Sequence, residues 1–189
     1  MNKNNPNVRI ISGIWRGRIL PVLTQEGLRP SGDRTRETLF NWLQFDLVGR
    51  NGLDLCAGTG ALGFEALSRG ASQCDLIEPN PQTVKQLKTT ITAFNASNAA
   101  VYSTTAQHFL AHNTQTYDVV FIDPPFDLVL WQTLIDTLDQ GDHLNNGALI
   151  YIEHPKSRTL EFPANWERRK TKTLGQVTIL LYEYTTSPV

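Results

Sequence analysis

The sequence predicts an α/β fold built on a parallel, doubly wound sheet. Short apolar segments alternate with segments whose apolar residues recur every three or four positions, and this alternation is typical of repeated strand–helix units. A glycine-rich turn over residues 57–63 separates the first strand of the series from its helix, and a closing hairpin is predicted at residues 166–184, with its turn at 174–176. We therefore expect parallel strands through most of the sheet and an antiparallel hairpin at its C-terminal end.

The elements before the glycine-rich turn form a small extension. Alternating apolar residues predict a hairpin over residues 8–20. A helix is predicted over residues 34–45, with Asp33 as its N-cap. Its apolar spacing predicts a buried face made of Leu39, Phe40, Leu43 and Leu47. We divide the chain into this basic N-terminal hairpin extension, residues 1–36, and a main domain over residues 37–189.

Strand–helix pairs follow the extension in regular order. The periodicity predicts four pairs, at 53–56 with 61–67, 72–77 with 81–94, 99–103 with 107–111, and 117–122 with 128–138. A fifth strand is predicted over residues 148–152, before the closing hairpin. A loop is predicted at residues 28–32, which contain Pro and Gly.

The composition indicates one globular domain of moderate size. The chain has 189 residues, of which 40% are hydrophobic and 19% are charged, and these values are ordinary for a globular protein. No apolar run is long enough for a membrane span, and the polar start of the chain is unlike a signal peptide. Cys56 and Cys74 are expected to be buried thiols that need no oxidising compartment. We therefore expect a cytoplasmic protein.

Charge is segregated along the chain. The net charge is −1, but residues 1–36 carry seven Lys or Arg against two acids, and a second basic cluster spans residues 156–172. Segregated positive charge suits a polyanionic partner, although a solvated surface is the simpler interpretation of either cluster alone. Four arginines of the first cluster are predicted to bind nucleic acid: Arg16, Arg18, Arg34 and Arg36. Trp15, which lies among them, either stacks on a base or packs on the domain, and the sequence favours neither.

The glycine-rich turn predicts a site for a nucleotide-type cofactor. Gly58, Gly60 and Gly63 have the G-x-G-x-x-G spacing of dinucleotide sites. Glu78 follows 20 residues after the first of them, where such sites carry an acid for a ribose hydroxyl. Asp54 favours S-adenosylmethionine instead, because a carboxylate at the end of the first strand repels a pyrophosphate and attracts an ammonium and a sulfonium. A methyl donor and a dinucleotide both remain open, as does an Asp54 that only ties down the turn.

A second motif, Asp123-Pro124-Pro125-Phe126, follows the strongly apolar fourth strand. Asp54, Glu78 and Asp123 each end a predicted strand, so they should meet in one crevice at the carboxyl ends of the strands. The prolines fix the backbone, so that Asp123 and a carbonyl oxygen can hold both N–H groups of a nucleobase amine while Phe126 stacks on the base. A strand-terminating turn with Phe126 in the core is the alternative. Together with the glycine-rich turn, the motif predicts methyl transfer to a nucleic-acid amine.

These motifs, taken in order, resemble a known class of enzymes. Asp54-x-x-x-Gly58-x-Gly60, Glu78 and the Asp-Pro-Pro-Phe motif are similar to the class I S-adenosylmethionine-dependent methyltransferases that modify amino groups. Residues 9–18 (Arg-Ile-Ile-Ser-Gly-x-Trp-Arg-Gly-Arg) and 28–43 (Leu-Arg-Pro-x-x-Asp-Arg-x-Arg-Glu-Thr-Leu-Phe-Asn-Trp-Leu) narrow the resemblance. They resemble the bacterial family that methylates N2 of guanine 966 in 16S ribosomal RNA, and the resemblance covers nearly the whole chain.

The resemblance implies a seven-stranded class I methyltransferase (Rossmann-like) sheet with S-adenosylmethionine as the cofactor. The catalytic positions would be Asp123 and Pro124, which hold the guanine amine, and Phe126, which stacks on the base. The matching cofactor positions are Asp54, Ala57, Gly58, Thr59, Gly60, Glu78, Thr105 and Ala106. At Thr105 such enzymes often have an acid near the adenine ring, so a hydroxyl would have to serve here. The implied substrate is 16S rRNA within the assembled small subunit, and we expect a monomer.

Other functions remain open on the residues alone. The acceptor could be adenine N6 in DNA or a protein amide, although such enzymes usually have Asn in place of Asp123. A dinucleotide-dependent oxidoreductase explains the glycines but not Asp54, and a non-catalytic RNA-binding module does not need the second motif. No metal site is expected, because the histidines lack metal-ligand spacing and should lie on the surface or in loops: His108, His112, His143 and His154.

Overall fold

The computed structural model describes residues 8–22 and 32–186. These residues form a two-stranded ribbon, a seven-stranded sheet and five helices. The strands are β1 (Val8–Arg9), β2 (Ile19–Leu20), β3 (Asn51–Asp54), β4 (Gln73–Ile77), β5 (Ala99–Tyr102), β6 (Tyr117–Ile122), β7 (Leu144–Pro155), β8 (Trp166–Leu174) and β9 (Val177–Tyr184). The helices are α1 (Asp33–Trp42), α2 (Ala61–Ser68), α3 (Pro81–Phe94), α4 (Ala106–His112) and α5 (Trp131–Gln140). The loop predicted at residues 28–32 lies, apart from Gly32, outside the described residues.

The large sheet has the strand order β5-β4-β3-β6-β7-β9-β8. Strands β3 to β7 pair in parallel with one another, and β9 is antiparallel to both β7 and β8. The predicted α/β sheet with a C-terminal antiparallel hairpin is therefore confirmed. The carboxyl ends of the parallel strands share one edge, which we call the carboxyl edge, and their amino ends share the opposite, amino edge. Because α2 and α3 each connect two parallel strands, both helices run from the carboxyl edge to the amino edge.

Helices cover both faces of the sheet, as a doubly wound fold requires. The first face carries the β1–β2 hairpin with α1, α2 and α3, and its buried apolar cluster includes Leu39, Phe64 and Phe121. The second face carries α4 and α5, packed around residues such as Trp131 and Ile150. None of the helices described here is long and apolar enough to cross a membrane.

The N-terminal hairpin belongs to the same apolar core as the helices of the first face. Its two strands pair antiparallel, Val8 opposite Leu20. Trp15 is only 7% exposed, and its ring meets that of Phe64 edge-on with centroids 6.4 Å apart. Of the two interpretations of Trp15, packing on the domain is therefore correct, and stacking on a base is not. The predicted division between residues 36 and 37 falls inside α1 and stays a prediction.

All four residues that the apolar spacing predicts to be buried are buried, but only Leu39 and Phe40 lie within α1, since Leu43 is its C-cap and Leu47 follows the next turn. Helix α1 begins at Asp33 with Gly32 in the N-cap position, so the prediction of Asp33 as N-cap is wrong. The Asp33 carboxylate instead accepts a hydrogen bond from the Arg36 guanidinium at 2.6 Å, one turn along the helix. The helix ends at Trp42, three residues before its predicted end, and a turn follows.

The other predicted bounds are accurate where residues at the ends of an element mark its start and end. α3 has its predicted bounds, because the Asn80 side chain caps its first turn, Pro81 starts it and Asn95 ends it in a left-handed conformation. α5 begins at Trp131, three residues later than predicted, after Val129 with its positive φ of 53°. β7 extends beyond the predicted 148–152 at both ends, since Leu144 pairs with Tyr117 of β6 and residues 153–155 pair with β9.

Candidate active site

The glycine-rich turn connects the carboxyl end of β3 to the start of α2. Gly60 is the N-cap of α2 with φ 76°, a left-handed conformation that favours glycine. A Cβ at Gly60 would lie 2.5 Å from the Phe64 ring, and one at Gly63 would lie 2.3 Å from a methyl group of Leu76. Both glycines therefore serve the close packing of α2 on β4 and α3.

Asp54 is the last residue of β3 and is 1% exposed. Its Oδ2 accepts a hydrogen bond from the Gly63 N–H at 3.2 Å, and its buried Oδ1 has no hydrogen-bond partner within residues 8–22 and 32–186. Burial and the nearby charges of Asp123 and Glu78 raise the pKa of Asp54 to about 7. One oxygen thus ties down the turn, as the alternative interpretation holds. The other is a buried acceptor that a cationic ligand would satisfy.

Glu78 follows β4 and is fixed by backbone groups on two sides. Its Oε2 accepts from the Gly58 N–H at 3.1 Å, and its Oε1 accepts from the Asn80 N–H at 2.8 Å. It does not cap α3, because the Asn80 side chain does so. Each carboxylate oxygen can accept a second hydrogen bond, so the Glu78 carboxylate is held ready for the paired hydroxyls of a ribose. Burial raises the pKa of Glu78.

Asp123 and the Pro-Pro pair follow β6 at the same edge. β3 and β6 are neighbouring strands, and the charge of Asp123 at the end of β6 raises the pKa of Asp54 at the end of β3. The two carboxyl groups therefore lie close together. Pro124 is buried, whereas Phe126 is half-buried with its ring centroid 5.8 Å from that of Trp131. The structure thus brings Asp54, Glu78 and Asp123 to one edge, with a partly exposed aromatic ring beside them.

The remaining predicted cofactor positions also lie near this edge. Ala57 is buried and donates its N–H to the Ile77 carbonyl at 2.9 Å, and Thr59 is half-buried in the turn. Thr105 is exposed, and its hydroxyl caps α4 by accepting from the His108 N–H at 3.2 Å. Ala106, the first residue of α4, is 5% exposed. The Thr105 hydroxyl therefore already has a structural role that an adenine contact would have to share.

Sequence reasoning missed one buried acid at this edge, Glu153 near the end of β7. It is 5% exposed, and its Oε2 accepts a hydrogen bond from the Tyr151 hydroxyl at 2.8 Å. Burial and the charge of Asp123 raise the pKa of Glu153 to about 8. The available signal was an acid directly after the apolar run 148–152, at a strand end where ligands bind.

The four predicted nucleic-acid-binding arginines do not come together. Arg36 is 1% exposed, and besides Asp33 it donates to the carbonyl of Arg9, so its side chain is not part of the protein surface. Arg18 donates to the Ala93 carbonyl at 2.6 Å, beside the C-terminal end of α3. The hairpin loop with Arg16 likewise lies at the amino edge, because the Ile14 N–H donates to the carbonyl of Ser68 at the end of α2.

Arg34 has a different position from the hairpin arginines. It is exposed in the first turn of α1. The last turn of this helix lies beside Arg69 at the amino edge, where the Arg69 guanidinium approaches the Phe40 carbonyl. The first turn of α1 therefore points toward the carboxyl edge.

The second basic cluster also reaches the carboxyl edge. Pro155, at the carboxyl end of β7, pairs with Val177 at the start of β9, so the turn between β8 and β9 lies at this edge. Lys156 is exposed beside that turn, where its N–H donates to the Gln176 carbonyl. Lys172 is exposed on β8 and pairs with Ile179, which belongs to the core of the first face. Lys172 therefore lies on the face that carries α1.

The four histidines differ in their exposure. His108 and His112 are exposed, as expected, whereas His143 and His154 are 6% exposed, so the expectation of surface or loop positions is wrong for His154 in β7. Burial lowers the pKa of both buried histidines. Among the described residues there is no group of three His, Cys, Asp or Glu side chains that could hold a metal ion.

Comparison with known proteins gives matches over nearly the full length. The family model described as conserved hypothetical protein 95 matches residues 8–183. The chain is 45% identical over 180 residues to the Ribosomal RNA small subunit methyltransferase D of Haemophilus influenzae, covering 93% of each protein. The protein of that description from Escherichia coli K12 is 45% identical over 177 residues, covering 93% of this chain and 89% of its own. The solved structure of yhhF from Escherichia coli has a TM-score of 0.88 at 41% identity, covering 96% of this chain and 100% of that one.

Proposed function

The chain belongs to the family described as conserved hypothetical protein 95, and from this membership we propose that it is an S-adenosylmethionine-dependent methyltransferase of small-subunit ribosomal RNA. The acceptor that we propose is the exocyclic N2 amine of guanine 966 in 16S rRNA, presented by the assembled small subunit. The observation that carries the proposal is the meeting of Asp54, Glu78 and Asp123-Pro124-Pro125-Phe126 at one edge of the sheet. We further propose that the enzyme acts as a cytoplasmic monomer.

The residues at the glycine-rich turn fit S-adenosylmethionine. The buried Oδ1 of Asp54, which no group within residues 8–22 and 32–186 satisfies, is suited to a cation, and the raised pKa of Asp54 is that of a buried carboxyl group without a bound cation. Glu78 is fixed by the Gly58 N–H, and its free lone pairs suit the two ribose hydroxyls. A dinucleotide would place a pyrophosphate beside Asp54, which its charge opposes. When bound, S-adenosylmethionine supplies a methyl group that its sulfonium activates.

The second motif would hold the acceptor. The lone pair of the guanine amine is delocalised into the ring, which makes this nitrogen a poor nucleophile. Asp123 and the Pro124 carbonyl accept its two N–H groups, which favours a pyramidal nitrogen and directs the lone pair at the methyl carbon. Positioning of this kind supplies much of the rate enhancement. Asp123 takes the proton that the nitrogen loses as the new C–N bond forms and the C–S bond breaks. Phe126, half-buried against Trp131, stacks on the base.

The charges at the carboxyl edge support an RNA substrate. Arg34 in the first turn of α1 and Lys172 on β8 are exposed on the same face of the sheet, and Lys156 is exposed beside the turn between β8 and β9. Cations in these positions can contact phosphates on either side of a base held at Asp123. Arg16 and Arg18 lie at the amino edge and would contact only RNA segments far from the target. The target guanine must be unpaired or flipped out to reach Asp123.

A direct assay tests the proposal. The purified protein is incubated with methyl-labelled S-adenosylmethionine and either naked 16S rRNA or small subunits from cells that lack the cognate enzyme, and the nucleosides are then analysed. We expect label in N2-methylguanosine, and more of it with subunits than with naked RNA. Label in methyladenine, or no label with either substrate, would refute the proposal and direct attention to DNA and protein acceptors.

A further inference from the structure

Glu153 is a buried acid at the carboxyl edge, beside the residues that the proposed methyl transfer uses. In the register of β6 and β7, Phe121 pairs with Tyr151, and Ile122 pairs with Ile152. Side chains alternate between the faces of a sheet, so Asp123 and Glu153 form the next pair on the face shared by Phe121 and Tyr151. The charge of Asp123 accordingly acts directly on Glu153. Two carboxyl groups thus lie side by side at adjacent strand ends.

The surroundings of Glu153 stabilise its neutral form. It is 5% exposed, so ionisation would place a charge in a poorly solvated position. The Tyr151 hydroxyl donates to its Oε2 at 2.8 Å, and the Trp131 indole N–H donates to its backbone carbonyl at 2.6 Å, so the residue is fixed at both ends. The described ion pairs involve other residues, and none compensates a charge on Glu153. Ionisation of one of two adjacent carboxyl groups raises the pKa of the other, and the charge of Asp123 raises the pKa of Glu153 in this way.

Resting on the proposed function, we propose that Glu153 is a positioning residue for methyl transfer. As a neutral acid held by Tyr151, Glu153 leaves Asp123 as the single ionised member of the pair. It also fixes the orientation of the Asp123 carboxylate toward the acceptor amine. Asp123 must accept an N–H group and later a proton, and both tasks need a carboxylate. A second negative charge at Glu153 would raise the proton affinity of Asp123 and repel it from its position. Removal of the Glu153 side chain would leave a gap beside Asp123 and release the hydroxyl of Tyr151.

Within residues 8–22 and 32–186, two titratable side chains lie against Glu153. Asp123 lies beside it on β6, and Tyr151 donates to it from β7. The opposite residue on β9, Ile179, and Trp131 of α5 carry no charge. Burial and the charge of Glu153 hold the pKa of Tyr151 well above its ordinary value, so Tyr151 stays a donor throughout the range of interest.

The first test does not depend on activity. Carbon-13 NMR of the glutamate side-chain carboxyls in the unliganded protein, with Glu153→Gln as the assignment control, follows the protonation of this group directly. We expect the resonance lost in Glu153→Gln to titrate near pH 8. A midpoint near the ordinary glutamate pKa of about 4.3 would overturn the inference, whatever the enzyme methylates.

The second test measures kcat against pH with the rRNA substrate. If Glu153, with a pKa of about 8, must stay protonated for transfer, wild-type kcat falls about tenfold between pH 7 and 9. Glu153→Ala lowers kcat at pH 7 by about tenfold through misplacement of Asp123. Glu153→Gln, which has the shape of the neutral acid, rescues that loss and removes the fall above pH 8. Glu161→Gln, at an exposed glutamate, is the matched control and keeps the wild-type profile.

The outcomes separate this inference from the proposed function. A Glu153→Gln enzyme that keeps the wild-type alkaline fall, or a Glu153→Ala enzyme with wild-type kcat, would overturn the positioning role. A wild-type protein that methylates no rRNA substrate would overturn the proposed function instead, and the NMR titration would then decide whether Glu153 is neutral.

Discussion

The Gly63 N–H, in the first turn of α2, donates a hydrogen bond of 3.2 Å to Oδ2 of Asp54, the last residue of β3. This bond fixes one oxygen of a carboxylate that is 1% exposed, while the other oxygen is buried without a partner in the part of the chain that the structure describes. Burial and two neighbouring carboxylates raise the pKa of Asp54 to about 7. Unliganded Asp54 is thus an acid poised near neutrality, and a cation bound beside it would ionise it.

Affinity for S-adenosylmethionine should therefore rise with pH. The cationic ligand prefers ionised Asp54, so its binding releases a proton wherever Asp54 is protonated in the free protein. With a pKa of about 7, the ionised fraction grows about tenfold between pH 6 and 8, and the dissociation constant should fall by that factor and then level off. Calorimetric titrations at pH 6, 7 and 8, in buffers of different ionisation enthalpy, measure both the affinity and the released proton.

Asp54→Asn is the control for this pH dependence, since its amide keeps an acceptor for Gly63 but does not titrate. It should bind S-adenosylmethionine more weakly at pH 8, with little variation between pH 6 and 8. A wild-type dissociation constant that does not change with pH would contradict the role of Asp54.

The same group makes the unliganded protein less stable as the pH rises. The pKa of Asp54 is raised in the folded state, so between its ordinary value of 3.8 and about 7 the folded chain binds more protons than the unfolded chain. The free energy of unfolding must then fall as the pH rises from 3.8 to about 7. Above about pH 7, Asp54 no longer contributes to the pH dependence of stability. Urea denaturation at pH 5 and pH 7.5 should show a smaller loss of stability in Asp54→Asn than in the wild type. An identical loss of stability in both proteins would mean that the pKa of Asp54 is not raised in the folded state.

Replacement of Asp123 should separate chemistry from cofactor binding. Asp123→Ala removes an acceptor for the amine and for its proton, so kcat should fall by about 10²–10⁴-fold. S-adenosylmethionine binding should persist and tighten slightly near pH 6.5, because the charge of Asp123 helps to keep Asp54 protonated. Single-turnover methyl transfer and calorimetry measure the two effects. Asp127→Ala, an exposed acid in the same loop, should leave both unchanged, and equal turnover in Asp123→Ala would refute the mechanism.

The sequence predicts most of the fold because its signals there are local. α3 is bounded by Asn80 and Asn95, and the apolar spacing of α1 identifies its buried face. Burial of a charged residue depends instead on distant partners. Arginine is usually a surface residue, yet Arg36 is 1% exposed, and the carbonyl of Arg9 and the exposed carboxylate of Asp33 accept its hydrogen bonds.

The candidate site was predictable to a similar degree. The placement of Asp54 at a strand end follows from the strand–turn–helix pattern, which is again a local signal. Glu153 is a single acid in a long strand, and its proximity to Asp123 depends on the pairing of β7 with β6, which one sequence does not specify. The hairpin position of Arg16 depends in the same way on the contact between this loop and the end of α2.

The two basic regions should contribute unequally to RNA binding. Lys172 lies on the α1 face of β8 and Arg16 lies at the amino edge, and both are exposed. Lys172→Glu should weaken binding to the small subunit or its rRNA and reduce the slope of log affinity against log salt by about 1. Arg16→Glu makes the same change of charge and should have a much smaller effect on binding. Filter binding across a salt series compares the two, and a larger effect at Arg16 would place the RNA along the hairpin instead.

Glu65 of α2 holds the N-terminal hairpin on the sheet. It is 0% exposed, and its carboxylate accepts hydrogen bonds from the Ile11 N–H at 2.7 Å, the Ser12 N–H at 3.0 Å and the Arg69 guanidinium at 2.7 Å. Glu65→Ala would leave three buried or half-buried donors without their acceptor, a loss of about 3–5 kcal/mol in the free energy of unfolding. Chemical denaturation measures this loss, with Glu167→Ala as the control at an exposed acid, expected within about 0.5 kcal/mol of wild type.

The result for Glu65 also bears on the role of the hairpin. If the hairpin were an independent RNA-binding extension, Glu65→Ala would detach it and reduce RNA affinity while the sheet kept its stability. Because Val8, Ile10 and Trp15 belong to the same apolar cluster as Phe64 of α2, we expect the opposite: a single cooperative transition at a lower denaturant concentration. Two separate transitions, or unchanged stability with weakened RNA binding, would contradict this view of the hairpin as part of the core.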